Sequence, residues 1–205
     1  MKPVVALISG GIDSPVAAYT VGRLGYRIIP VHFVNAPFSS EGDKEKVLKI
    51  VEKLREHVEI DDVVFVPHGH NLLEFSKKCE RRFACVLCKR MMFRIAERLS
   101  QKLGAEAIVT GEFLGSKASQ TLRNLEVISQ TVNIPVIRPL LGMDKEEIQI
   151  IGRKIGTFNR GIGQAGCCSI TPYKPSTKAR LEKILEEEGK VDVEGLVEKS
   201  IFSVV

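Results

Sequence analysis

The stretch Pro3-Val4-Val5-Ala6-Leu7-Ile8-Ser9-Gly10-Gly11-Ile12-Asp13-Ser14-Pro15 decides the fold. Pro3–Ile8 is an apolar run rich in Val, the pattern of a strand buried on both faces of a parallel sheet. Ser14–Leu24 then reads as a helix. Pro15 falls in its first turn, where a missing N–H costs little, and Gly25 ends it. Between strand and helix, Gly10 and Gly11 let the backbone turn tightly and aim successive N–H groups inward. The helix dipole and the Ser9 and Ser14 hydroxyls complete a cradle for an anion. No Gly-Lys-Ser/Thr follows, so this is not a Walker A loop, and the absence of Gly-x-Gly-x-x-Gly disfavours a dinucleotide site. The plain alternative is an ordinary glycine turn in an αβ unit. Ser, Asp and Ser placed directly after the first strand favour the phosphate loop over it.

Strand-like and helix-like periods alternate outward from this unit. Arg27–Val34 reads as a second strand, and 41–58 as an amphipathic helix with Val47, Ile50, Val51, Leu54 and Val58 on one face. Val63–Pro67 is a third strand and Asn71–Lys78 a short helix. Cys88–Leu103 is a longer helix closed by Gly104, followed by strands at Ala107–Thr110 and Pro135–Ile137 with a helix over Ser119–Val132 between them. Asp144 caps Lys145–Ile155, with Glu147 as its capping-box partner. A Gly-, Cys- and Pro-rich loop fills 156–175, and two short helices, Thr177–Glu188 and Val193–Lys199, close the chain. This order predicts the α/β class: an open, mostly parallel, doubly wound sheet of about five strands with helices on both faces. The expected division is a catalytic domain over 1–175 and a helical extension over 176–205.

Composition agrees with a folded, water-exposed molecule. Of 205 residues, 44% are hydrophobic and 27% charged, which excludes disorder as the main state. The net charge of +5 permits a polyanionic partner without demanding one. No apolar run reaches the ~20 residues of a membrane span, and the N-terminus breaks into Ser9-Gly10-Gly11 too soon for a secretory leader. A cytosolic home is expected, where five cysteines serve reactivity or metal binding rather than disulfides. The absence of Trp argues against a base-stacking platform.

Ser9-Gly10-Gly11-Ile12-Asp13-Ser14 resembles the pyrophosphate loop of the ATP pyrophosphatase superfamily, whose fold is Rossmann-like and of the adenine nucleotide alpha hydrolase type. Further segments narrow the likeness: Val31-His32-Phe33, Cys88-Lys89-Arg90-Met91-Met92, Thr110-Gly111-Glu112, Ala118-Ser119-Gln120-Thr121, Arg138-Pro139-Leu140-Leu141-Gly142-Met143-Asp144-Lys145, Cys168 and Lys178-Ala179. Their order and spacing are similar to the catalytic domain of the tRNA 4-thiouridine synthetase family, sulfurtransferases also linked to thiamine synthesis. The resemblance implies that ATP is split between its α and β phosphates and that AMP is transferred to an oxygen of the substrate. It places ATP against Leu7, Ile8, Ser9, Gly10, Gly11, Asp13, Ser14, His32, Phe33, Lys89, Gly111 and Gln120, with Asp13 organising Mg²⁺ and Asp13, Lys89 and Cys168 as catalytic residues. In a doubly wound sheet the ligand crevice lies at the C-terminal strand ends, where the strand-borne members of this set fall. Phe33 is expected to cover a purine and Lys89 to meet a phosphate. The plain reading of His32 and Phe33 is strand-end packing, and of Lys89 a solvated helix position.

Cys85-Val86-Leu87-Cys88 is a C-x-x-C, Cys167-Cys168 an adjacent pair, and Cys79 stands alone. An adjacent pair is a poor second half of a tetrahedral zinc site. Three ligands fit the arithmetic better: Cys85, Cys88 and one of the late pair. Family forms without a rhodanese domain carry a C-x-x-C and a three-cysteine iron–sulfur cluster, and the spacing to Lys178-Ala179 matches Cys168 to the family's catalytic cysteine. Cluster chemistry with hydrosulfide, a Cys168 persulfide resolved by the C-x-x-C, and zinc or inert thiols all stay open. Cys79 and Cys167 are expected to be structural.

Between Lys77 and Lys102 the basic residues Lys77, Lys78, Arg81, Arg82, Lys89, Arg90, Arg94, Arg98 and Lys102 face only Glu80 and Glu97. Such a window suits tRNA phosphates or is simply a solvated helix face. The function expected is ATP-dependent replacement of uracil O4 by sulfur at position eight of tRNA. The expected partners are tRNA, hydrosulfide or a cysteine-desulfurase persulfide, a separate tRNA-presenting protein in place of a fused RNA-binding module, and a second copy of the chain. Two alternatives remain: adenylation of a small molecule for thiamine-pathway sulfur transfer or amide ligation, and a nucleotide-binding accessory subunit that makes neither AMP nor pyrophosphate.

Overall fold

Short apolar runs in this chain become strands because they can be buried on both faces only inside a parallel sheet. The computed structural model describes residues 1–39, 42–158 and 168–204. Pro3–Leu7 (β1), Arg27–Val34 (β2), Val64–Pro67 (β3), Ile108–Val109 (β4) and Val136–Ile137 (β5) form one five-stranded sheet in the order β3-β2-β1-β4-β5. Every strand pair is parallel, with Val5 opposite Ile29 on one side and Ile108 on the other. The order reverses between β1 and β4, the switch point where doubly wound sheets open a crevice.

The period of two along each strand sends alternate side chains to two separate cores. Val4, Ala6, Ile8 and Ile28 join the core under Asp13–Gly22 (α1), Asp43–Arg55 (α2) and Lys145–Lys154 (α6). Val5, Ile29, Val31 and Phe33 join the core under Gly69–Lys78 (α3), Ala84–Leu103 (α4), Leu122–Ser129 (α5), Leu181–Glu188 (α7) and Val193–Phe202 (α8). The expected stripe on α2 is real: Val47, Ile50, Val51 and Leu54 are buried, at about 1.5–3 kcal/mol for each such side chain.

Helix bounds differ from expectation in several places: α2 ends at Arg55, leaving Val58 beyond it, and α7 starts at Leu181 rather than Thr177, while the changes in α4 and α5 bear on the site. α4 begins at Ala84 rather than Cys88, so the C-x-x-C lies in its first two turns. The helix expected over Ser119–Val132 is interrupted. Thr121 is extended (φ −80°, ψ 153°) and its Oγ1 accepts from the Asn124 N–H at 3.3 Å, so it caps α5; a short polar side chain competes for backbone N–H groups and starts a helix rather than continuing one. At α6 the capping box forms as expected, Asp144 and Glu147 exchanging bonds of 2.9 Å each.

The C-terminal helices are tied to α4 by charge. Arg90, 2% exposed, donates from Nε and Nη2 to the Glu188 carboxylate at 2.8 and 3.0 Å, and Arg94 donates to the same carboxylate at 2.6 and 2.9 Å. Lys78, Arg82, Lys89 and Arg98 also have acidic partners, Glu74, Glu80, Glu112 and Glu194. The basic window of the sequence is therefore largely consumed by internal pairing, with six of its cations matched to acids. Among the described residues, no helix is long and apolar enough to cross a membrane.

Candidate active site at the sheet switch point

The turn between β1 and α1 is closed by its two serines. Ser14 Oγ accepts from the Ser9 N–H at 2.8 Å and lies 3.0 Å from Ser9 Oγ, which in turn accepts from the Gly11 N–H at 3.3 Å. Ile12 holds the N-cap position of α1 and has no capping side chain, so the helix presents backbone N–H groups to the turn, as anion-binding helices do. Neither Gly10 nor Gly11 has a positive φ. A Cβ on Gly11 would meet only Ser9 Oγ, at 3.4 Å; the glycine keeps open space for a ligand.

The neighbouring strand end is packed hard against this turn. A Cβ on Gly111 would lie 2.5 Å from Ser14 N and 2.6 Å from Asp13 C, so Gly111 lets the chain after β4 touch the backbone at the start of α1. Beside it the Asp13 carboxylate accepts from Lys145 Nζ at 2.7 Å, and the same ammonium sits 5.3 Å from the Phe113 ring centre.

Behind the turn is a cavity of about 300 Å³, the size of a small-ligand pocket. Ser9, Asp13, Ser14, Gly111 and Gln120 line it together with Leu7, Cys168 and, from α4, Cys85, Cys88 and Lys89. Positions 85, 88, 89 and 92 share a helix face because their spacing is i, i+3, i+4, i+7. Lys89 pairs with Glu112, which is 5% exposed and also accepts from Arg138 Nε at 2.8 Å and Thr110 Oγ1 at 3.1 Å. Burial alone would push the Glu112 carboxyl up, but Lys89 and Arg138 overcome it and hold the group below the ordinary carboxylate range. Gln120 Oε1 accepts from the Phe113 N–H at 3.3 Å.

Five expected members do not line the cavity. Gly10 and Gly11 belong to the turn without lining the cavity, and Ile8 faces the α1 core. His32 is buried, its Nδ1–H donating to the Ile8 carbonyl at 2.9 Å; desolvation lowers its pKa, and the ring anchors the start of the turn. Phe33 is 4% exposed in the core, its ring edge-on to His68 at 5.3 Å. Phe33 does not line the cavity, although it shares the α4 side of the sheet with Leu7, which does.

Cys85, Cys88 and Cys168, the three thiols expected as ligands, all line the cavity. Among the described residues, however, no three His, Cys, Asp or Glu side chains stand close enough for a formed metal site. Cys167 lies outside the described residues. Cys79, half-buried, donates to the Glu187 carbonyl at 3.3 Å, as a structural thiol would. Burial pushes the Cys88 thiol up, and His68 Nε2 is 3.3 Å from its sulfur. Glu112, Arg138, Lys145 and His68 were not legible as site residues. Glu112 and Lys145 stand in the quoted segments Thr110-Gly111-Glu112 and Met143-Asp144-Lys145, but their partners are more than twenty positions away and meet only in the fold.

A crystal structure of a 4-thiouridine synthetase–RNA complex with bound ATP matches 100% of this chain and 54% of its own at a TM-score of 0.92, with 37% identity. A protein of Acetivibrio thermocellus named "Probable tRNA sulfurtransferase" is 41% identical over 199 residues, 96% of this chain and 51% of its own length. One of Alkaliphilus metalliredigens with the same name is 43% identical over 201 residues, covering 95% and 50%. The chain thus spans about half the length of the curated relatives it matches. A family model described as Thiamine biosynthesis protein (ThiI) matches residues 1–193. Nearly the whole chain falls within that model, and it belongs to the ThiI family.

Proposed function

We propose that this chain is the ATP-using catalytic part of a tRNA uracil sulfurtransferase. The observation that carries the reading is one cavity lined both by Ser9, Asp13 and Ser14 of the turn and by Cys85, Cys88 and Cys168. A turn built for phosphate and a set of sulfur nucleophiles have reason to share a cavity only if nucleotide activation and sulfur delivery act on one substrate. The likeness to a synthetase that binds RNA and ATP supports the same two ligands here.

The chemistry follows from the residues. The N–H groups at the start of α1 and the serine turn hold the outer phosphates, leaving the α-phosphorus open to uracil O4. Attack there forms the O4–adenylate and expels pyrophosphate into the turn. Lys89, set by Glu112, offsets charge on the phosphates, and Asp13 is the carboxylate beside them suited to Mg²⁺. Sulfur then attacks C4 and expels AMP, with position eight of tRNA as the target. Sulfur reaches C4 as hydrosulfide, or as the outer sulfur of a Cys168 persulfide; in the second route a C-x-x-C thiolate then attacks Cys168 Sγ, breaking the S–S bond to the product and leaving a protein disulfide for an external dithiol to reduce. Cys85, Cys88 and Cys168 line one cavity and would be the holders of an iron–sulfur cluster if the three sulfurs drew together on it; such a cluster would supply an iron site for hydrosulfide.

Mass spectrometry of tRNA after incubation with ATP and sulfide tests the activity. A gain of one sulfur in place of oxygen is expected, and no gain with any sulfur donor contradicts the proposal. Anaerobic purification separates the sulfur routes. The cluster route predicts iron and sulfide in the wild type and their loss in Cys85→Ala. An iron-free protein that thiolates tRNA from a persulfide donor but not from sulfide assigns the persulfide route, and stoichiometric zinc removes the cluster.

A further inference from the structure

His68 is wholly buried and belongs to none of the elements discussed so far as binding nucleotide. It stands immediately before α3, and its two ring nitrogens have different partners. Nε2 lies 3.3 Å from Cys88 Sγ, and Nδ1 lies 3.0 Å from Asn71 Nδ2. Which nitrogen carries the proton decides what His68 does to the thiol, and the neighbours decide the proton.

The accounting starts at Ser200 on α8. Its one hydroxyl proton is donated to the Leu196 carbonyl at 3.0 Å, the usual back-bond of a helical serine. Ser200 Oγ is left with its lone pairs, so Asn71 Nδ2, 3.0 Å away, must donate to it; His70 Nε2, at 3.3 Å, is the other neighbour of that oxygen. This sets the Asn71 amide with its NH₂ toward both Ser200 and His68, and its second hydrogen points at His68 Nδ1. Nδ1 is therefore an acceptor and the ring proton sits on Nε2. On the other side, the Cys88 S–H is directed to Met92 Sδ at 3.8 Å, leaving Cys88 sulfur lone pairs to accept. Flipping the Asn71 amide would set its oxygen against a serine whose proton is already committed. The present orientation leaves Asn71 Oδ1 buried without a partner, a cost accepted for holding the two donors.

We infer that His68 is a positioning residue for Cys88: it donates its Nε2–H to Cys88 Sγ, and Asn71, held by Ser200 of α8, fixes the tautomer that allows this. The consequence for sulfur chemistry rests on the function proposed above. A fixed N–H aimed at a half-buried sulfur favours electron density on that atom, which a thiolate ligand and a resolving thiolate both need. His68 is a donor to the sulfur and not a fourth metal ligand, because its Nε2 lone pair is replaced by the proton.

Two-bond ¹H–¹⁵N correlation of the ¹⁵N-labelled, metal-free chain reads the tautomer directly. The expected result is a neutral ring protonated at Nε2, with that proton's resonance shifted in Cys88→Ala. His68→Met, which cannot donate, is expected to lose about 10–100-fold in sulfur transfer, whereas His68→Gln, whose side-chain NH₂ reaches a similar place, retains most of it. A ring protonated at Nδ1, a resonance indifferent to Cys88→Ala, or a loss in His68→Gln equal to that in His68→Met overturns the inference. If the wild type transfers no sulfur at all, the functional proposal falls while the tautomer result still decides the role of His68.

Discussion

Gly111→Ala is expected to lower pyrophosphate-forming turnover about 100-fold. The new Cβ would lie 2.5 Å from Ser14 N and 2.6 Å from both Asp13 C and Ser14 Cα. All three are backbone atoms and cannot rotate away. To restore a contact of about 3.5 Å, the start of α1 must move about 1 Å from the chain after β4. In the proposed function that start aims N–H groups at the phosphates, and a misplacement of about 1 Å costs about 100-fold in a positioned reaction. Overpacking of this kind also costs about 1–3 kcal/mol of stability. Gly142→Ala is the control: nothing lies within 4 Å of its Cβ, and its φ is not positive. Calorimetric ATP binding and pyrophosphate release measure the pair. A Gly111→Ala enzyme within threefold of wild type contradicts the placement of the site.

Glu188→Ala is expected to destabilise the chain by about 3–5 kcal/mol, because it strands two arginines that were packed around one carboxylate. Arg90 is 2% exposed and has no water to turn to. At about 2–4 °C per kcal/mol for a domain of this size, Tm falls by about 10 °C. Burial would push the Glu188 carboxyl up, but Arg94 and Arg90 more than offset it and hold it below the ordinary range. The sign of the pH dependence follows. The wild-type advantage over Glu188→Gln is full above the pKa of an unfolded glutamate, about 4.3, and is lost as pH falls through the lower folded value. Thermal melts of the three proteins across acidic pH check both claims. A Glu188→Ala protein with unchanged Tm would mean that α7 does not depend on α4 for its anchoring.

The sheet was legible because parallel strands advertise themselves as apolar runs, and β2 was placed to the residue at Arg27–Val34. The turn between β1 and α1 was legible for the same reason, a loop defined by its two flanking periods. The break at Thr121 was not. Its side chain could continue a helix or cap a new one, and its Oγ1 also donates to the Thr177 carbonyl at 2.7 Å, which is known only once the chain folds back. Phe33 is not among the lining residues: its ring packs edge-on to His68 within the α4-side core, a contact that strand pattern alone does not show. The positive window around α4 looked like a surface for polyanions, but Glu112 and Glu188, distant in sequence, neutralise its inner members. Local pattern reveals elements and loops; the pairing of charges depends on contacts across the whole chain.

The account depends most on the turn at Ser9–Ser14 gripping the outer phosphates. ATP labelled on its α-phosphate, incubated with the chain, tRNA and sulfide, tests this directly. The prediction is labelled AMP with pyrophosphate in equal amount, and its loss in Gly111→Ala; label appearing in ADP contradicts it.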